Sequence, residues 1–294
     1  TGIMISIPFN PIMIEIGNFV LSWHGFWSFV GVLVAIYLVA KWAKKDGLNP
    51  DLVYNTAVWG VLGGILGARI VHVLDQLPYY IDNPGRILAV WTGGIALWGG
   101  IIGGVLGGAI YAYIQKYPVG KLMDLTAPAM LIAQAIGRIG DIFNGEHLSR
   151  ATDLPWGWIF THPDSPGRRG ALELFGNPVQ PVHPAVVYEI IWDLSVCWFI
   201  WRYRKSLKPD GSLWMLYMAL YSVGRFLIQF TRMDSVKFWA LQEAHIISLI
   251  IFTISIVFLT IYTRPVNWVK KKDLSQDPKN KVTSKRKRRV LRDS

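Results

Sequence analysis

The chain has 294 residues, of which 52% are hydrophobic and 17% charged, with 14 Trp, one Cys and a formal net charge of +11. Mean hydropathy is +0.33. A soluble globular protein of this length carries about a quarter charged residues, so the composition excludes that class and points to a polytopic membrane protein. One cysteine supports neither a disulfide framework nor a cysteine metal cluster.

In chain order, Thr1–Asn10 has no basic region ahead of its apolar part, so no cleavable signal is expected there. Seven apolar segments then follow, each long enough for a bilayer core of ~30 Å. They lie near 19–41, 54–75, 92–115, 122–143, 184–203, 212–231 and 243–263. Alternate gaps hold the basic residues: Lys41, Lys44 and Lys45; Lys116 and Lys121; Arg202, Arg204, Lys205 and Lys208; then the tail. Basic loops stay in the cytoplasm, so seven crossings place the N-terminus outside and the C-terminus inside. The predicted architecture is an all-α membrane protein with seven transmembrane helices over residues 1–263. Its longest external loop, about 144–182, is rich in Pro, Gly and charge and is expected to form a small head.

The second segment carries Gly60, Gly63, Gly64 and Gly67, and the third Gly99, Gly100, Gly103, Gly104, Gly107 and Gly108. Spacings of four place them on common faces where helices in lipid approach closely. Arg69 and His72, three apart near the end of the second segment, share a face suited to interfacial anchoring. Where the fourth segment gives way to a polar loop stand Arg138 and Asp141, again three apart and able to pair. An arginine at the centre of a membrane helix costs ~2.5–3.5 kcal/mol on insertion scales, and such residues mark functional interiors.

In the sixth segment Tyr221, Arg225 and Gln229 form a stripe at spacings of four. From their cytoplasmic starts Arg138 and Arg225 reach similar depths, and two guanidiniums at one depth repel unless an anion lies between them. Arginine's planar fork suits phosphate, which predicts an anionic-phospholipid site between segments four and six, opening outward. The competing reading pairs Arg225 with Asp193 or Glu189. Cys197 is expected to be a buried small hydrophobe. The tail, 264–294, holds 12 Lys/Arg against 3 Asp, which is +9 of the net +11. It is expected to be disordered and to touch anionic membrane lipid on the cytoplasmic side rather than nucleic acid.

The run from Gly137 through Arg138, Asp141, Asn144 and Glu146 to Gly157 resembles the signature of the prolipoprotein diacylglyceryl transferases. Further stretches agree in order and spacing: Gly67-Ala68-Arg69, Trp91 to Gly100, His183-Pro184 with Tyr188-Glu189, and Tyr221 with Gly224-Arg225-Phe226. The resemblance covers Ile16 to about residue 263. It implies seven membrane helices, an external N-terminus and a small external head. It also implies transfer of the diacylglyceryl group of phosphatidylglycerol to the lipobox cysteine thiol of a prolipoprotein, forming a thioether and releasing glycerol phosphate. By the same resemblance Arg138 binds the lipid phosphate, and Arg225 stabilises the leaving group or the thiolate. Glu146 orients the head, and Tyr221 and Asp141 join the catalytic set. Asn144, Gly99, Gly100, Trp98 and His24 complete the lipid site, and no metal or diffusible cofactor is implied.

Six positions depart from the commonest family pattern: His is usual where Trp98 stands, Tyr at His24, Asn at Asp141, Gly at Ser149, Gln at Val186 and Glu at Gln229. Indole is only a donor and cannot serve as a base at 98. His24, Asp141 or Glu146 is left to take that role. The departures set a divergent active enzyme against a relative that binds lipid or lipoprotein without catalysis. A lipid transporter is a third reading, disfavoured because the chain has neither an internal repeat nor paired broken helices.

Overall fold

The long apolar segments fold as helices because a chain in lipid must satisfy its backbone polar groups internally. The structure, a computed structural model, describes residues 4–17, 19–89, 94, 96–145, 149–234, 236–238 and 241–266. Its helices are α1 Trp23–Lys45, α2 Pro50–Asp75, α3 Leu77–Asp82, α4 Leu97–Ile114, α5 Val119–Asn144, α6 Pro166–Phe175, α7 Ala185–Tyr203, α8 Ser212–Gln229 and α9 Glu243–Tyr262. The seven expected segments correspond to the helices other than α3 and α6. Four of them, α1, α2, α5 and α9, are long and apolar enough to cross a membrane by themselves. The apolar stretch of α4 is shorter, Gly99–Ile114. In α7 and α8 the apolar run is interrupted by Glu189, Asp193 and Arg202 and by Arg225, of which Glu189 and Arg225 prove central below. The tail beyond 266 lies outside the described residues, and with it the expectation of disorder.

Several boundaries differ from the sequence expectation. Residues Phe19–Ser22 are a strand paired antiparallel with Ile12–Ile16, so α1 begins at Trp23 rather than near 19. A short apolar run reads alike as strand or helix, and the turn around Gly17, in the left-handed region at φ 59°, decides for a hairpin. α2 starts earlier than expected, at Pro50, because the Asn49 side chain caps the Asp51 amide at 2.9 Å and proline suits the first turn.

The chain forms two compact units, Phe29–Ala133 and Thr1–Ser28 with Gln134–Ser294. In the first, Ala35, Val39, Ala40 and Ala43 pack with Val53, Ala112, Tyr117, Leu122 and Ala129. α2 and α4 meet glycine to glycine. A Cβ added at Gly107 would lie 2.5 Å from the Trp59 carbonyl, and at Gly63, Gly67, Gly99 or Gly103 closer still to a facing carbonyl. The spacing-of-four reading is thus met by backbone contact that only glycine permits. Arg69 is not an interfacial anchor. It is 4% exposed and donates to the carbonyls of Ile87 (2.8 Å), Gly94 (2.8 Å) and Arg86 (2.5 Å), tying down the chain between α3 and α4.

In the second unit, Ile5–Ile7 runs parallel to Trp158–Phe160, and Trp158 exchanges 2.9 Å hydrogen bonds with Val182. The Arg150 amide donates to the Thr231 carbonyl at 2.7 Å, and Ser149 bridges to Arg232. These links fasten the loop after α5 to the end of α8. Trp192 of α7 donates its indole N–H to the Leu220 carbonyl at 3.0 Å, over Gly224, where any Cβ would strike the ring. Cys197 is half-buried rather than buried. Burial is inverted relative to a soluble protein: Leu66, Val105, Ile191 and Ile254 are more than half exposed, while Asp141, Gln229 and His245 are at most 1% exposed. That inversion is the surface of a protein solvated by lipid.

Candidate functional site

The polar residues buried in the second unit converge on one carboxylate. Glu189, in the second turn of α7, is 6% exposed. Its Oε2 lies 2.5 Å from Nε of Arg138 on α5, and its Oε1 accepts from Nη1 of Arg225 on α8 at 2.7 Å. Arg232, just beyond α8, reaches Oε1 at 3.4 Å. The anion that two facing guanidiniums require is therefore supplied by the protein itself, and the alternative pairing of Arg225 with Glu189 is the one formed. Both arginines remain partly open, with side chains 22% and 21% exposed, whereas Arg232 is closed at 3%. A guanidinium has five donors, so each open arginine keeps N–H groups for a further anion after meeting Glu189.

Asp141 holds the other side of Arg138. Its Oδ2 accepts from Arg138 Nη1 at 2.8 Å, and its Oδ1 lies 2.5 Å from Nδ1 of His24 in the first turn of α1. The close approach of α1 depends on Gly140, where a Cβ would stand 2.7 Å from both the His24 Cα and the Trp23 carbonyl. Trp23 stacks on Phe143 with ring centroids 4.9 Å apart, fixing the same contact one turn along. Tyr221 is an electrostatic neighbour of Arg138, Arg225, Glu189 and Asp193, and its ring lies 5.9 Å from that of Tyr217. Asn144 is buried at the last turn of α5.

A second polar network supports Arg232. Gln229 donates from Nε2 to Asp234 Oδ2 at 2.6 Å and also to Gln242 Oε1, while Gln242 Nε2 donates to the Arg232 carbonyl at 3.1 Å. Arg232 Nε donates to the same Asp234 oxygen at 3.3 Å. Burial alone would raise the Asp234 carboxyl, but the Gln229 amide and the Arg232 guanidinium outweigh it and hold the group below the usual carboxylate range. Gln242 and His245 form a reciprocal cap that starts α9.

The residues predicted from sequence thus divide. His24, Arg138, Asp141, Tyr221 and Arg225 come together. Asn144 lies on α5 beyond Asp141, and Gln229 serves the adjoining network. Gly99 and Gly100, expected in the lipid site, lie in the other unit and face α2: Gly99 meets the Gly67 carbonyl and Val71, and Gly100 meets Ala68 and Gly64. Trp98 occupies the first turn of α4, but its side chain, like Glu146 as a whole, lies outside the described residues. The departing positions find partners: His24 meets Asp141, Ser149 bridges to Arg232, Gln229 binds Asp234, and Val186 is buried in the first turn of α7. Sequence reasoning did not select Arg232, Asp234, Gln242 or His245. Arg232 stands seven residues after Arg225, just past the end of the same apolar segment, and a second arginine at that place is the signal that could have found it.

Three arginines, two of them open, gather on one buried carboxylate among the helices of a multi-pass membrane protein. The family model described as prolipoprotein diacylglyceryl transferase matches residues 11–261. A phosphatidylglycerol–prolipoprotein diacylglyceryl transferase of Trichormus variabilis is 39% identical over 262 residues, covering 87% of this chain and 90% of the relative. Enzymes of the same name from a Nostoc species and from Fusobacterium nucleatum are 39% identical, covering 82% of this chain and 84% of theirs, and 35% identical, covering 85% and 97%. The chain belongs to the prolipoprotein diacylglyceryl transferase family.

Proposed function

We infer that this protein transfers the diacylglyceryl group of phosphatidylglycerol to the cysteine thiol of a prolipoprotein lipobox. The observation that carries the reading is the pair of open guanidiniums, Arg138 and Arg225, held on Glu189. A phosphodiester carries one negative charge spread over oxygens that match the arginine fork. In the reaction the substrate's sulfur forms a bond to the glyceryl carbon, and the carbon–oxygen bond to phosphate breaks. The bonding pair leaves on glycerol phosphate, which gains a negative charge. Arg138, fixed by two carboxylates, holds the phosphate in the ground state. Arg225, whose only carboxylate partner among the described residues is Glu189, turns its remaining donors to the charge that develops on the departing oxygen, where preorganised donors act most strongly.

The purified protein in detergent, given phosphatidylglycerol and a lipobox peptide, is expected to add one diacylglyceryl group per peptide and to release glycerol phosphate in equal amount. Arg225→Ala is expected to slow transfer about 10²- to 10³-fold while phosphatidylglycerol binding changes only a few-fold. Saturable lipid binding by the wild type without release of glycerol phosphate would favour the non-catalytic relative.

The seven long helices are taken to cross the membrane seven times, with the N-terminus and the segment 144–182 outside and the basic tail in the cytoplasm. The spacing of the basic gaps supports this orientation. Cysteines introduced at Asp164 and Ser284 are expected to react with an impermeant reagent from opposite sides of intact cells, and labelling of both from outside would overturn it.

A further inference from the structure

We propose that His24 is the base that takes the proton from the substrate thiol, with Asp141 as its positioning residue; this rests on the transferase reading above. The free thiol ionises near pH 8.5 and attacks as thiolate, so at neutral pH most of it is unreactive unless a base meets it. The geometry supplies one beside the phosphate site. One buried carboxylate, Asp141, divides its two oxygens between the imidazole and the phosphate-binding arginine: Oδ1 to His24 Nδ1 at 2.5 Å, Oδ2 to Arg138 Nη1 at 2.8 Å. The base and the phosphate grip are therefore separated by the width of one carboxylate. That is the arrangement needed when the thiol must attack the carbon next to the phosphate.

The same contact sets the tautomer. Against an ionised carboxylate the Nδ1 position carries the proton, which leaves the lone pair of neutral imidazole on Nε2. Asp141 is 1% exposed and cannot itself meet a substrate, whereas the His24 side chain is 41% exposed. In the proposed step the thiol proton passes to Nε2, the sulfur electron pair forms the bond to carbon, and the carbon–oxygen pair leaves with glycerol phosphate. The imidazolium is stabilised by Asp141 until it returns its proton to solvent. Among the described residues, Asp141 of α5 faces His24 and carries Arg138 on its other oxygen, while Glu15, on the hairpin leading into α1, is exposed. α1 itself has no charged side chain before Lys41.

His24→Asn keeps a short N–H donor toward Asp141 and removes the base. It is expected to transfer about 10²-fold or more slowly at pH 7, with the loss falling in kcat far more than in phosphatidylglycerol affinity. Its rate is expected to climb tenfold per pH unit toward the thiol's own range, so that the deficit shrinks by pH 9, while the wild type levels off earlier. Exogenous imidazole is expected to restore part of the rate in His24→Ala. A deficit equal at every pH, with no imidazole rescue, would mean that His24 only shapes the site, and a wild-type rate in His24→Asn would remove it from the chemistry. Either result, alongside normal wild-type transfer and loss of lipid binding in Arg138→Ala, overturns this inference alone. Absence of transfer by the wild type overturns the reading beneath it as well.

Discussion

Arg138→Ala is expected to abolish saturable binding of phosphatidylglycerol at concentrations that fill the wild-type site. The guanidinium is held from two sides, by Glu189 at 2.5 Å through Nε and by Asp141 at 2.8 Å through Nη1, so its remaining donors are fixed in direction before lipid arrives. Removing one member of a hydrogen-bonded buried charge pair costs ~2–5 kcal/mol, which corresponds to a loss of about 30- to 5,000-fold in affinity. Arg138→Lys keeps the charge but offers a single ammonium in place of the fork. It cannot reach both carboxylates and present paired donors to a phosphate, so its affinity is expected to fall between wild type and Ala. Titration with phosphatidylglycerol in nanodiscs, with a zwitterionic lipid as control, reads the order. Wild-type affinity in Arg138→Ala would remove the phosphate from this residue.

Glu189→Gln is expected to have the largest effect on stability. The substitution preserves shape but leaves Arg138, Arg225 and Arg232 facing one another without the carboxylate that all three contact, at 2.5, 2.7 and 3.4 Å. Breaking a buried pair in this way costs ~3–5 kcal/mol, because the unpaired charge stays in low dielectric. Asp193 is a control one turn further along α7. It is equally buried but makes no ion pair within 4 Å among the described residues, so Asp193→Asn is expected to be the milder change. Thermal unfolding of the detergent-solubilised variants, read beside transfer rates, separates the two. Equal stability of Glu189→Gln and wild type would show that the arginines do not depend on this carboxylate.

The helices and the polar positions inside them were legible in the sequence, because both signals are local. A run of apolar residues long enough for a bilayer forces a helix whatever surrounds it, and glycines at spacings of four mark a contact face without naming the partner. Arg138, Asp141, Tyr221 and Arg225 stood out because charge and hydroxyl inside apolar runs are costly unless used. Two anions were open between Arg138 and Arg225, a phospholipid or a carboxylate, and Glu189 takes that place.

What only the tertiary structure decided is which groups answer those demands. Glu189 is 36 residues from Arg225 and 43 from Arg232, and no periodicity links them. His24 is 117 residues from Asp141, and they meet because Gly140 lets α1 approach to backbone contact. Arg69 looked like an interface anchor until the loop before α4 returned three carbonyls to it. Phe19–Ser22 looked like the start of a helix until Ile12–Ile16 paired with it. A residue's own chemistry and spacing determine that it needs a partner and on which face. The partner's identity depends on chain closure over tens of residues, and in lipid small side chains and buried charges, rather than apolar pattern, decide how closely those helices meet.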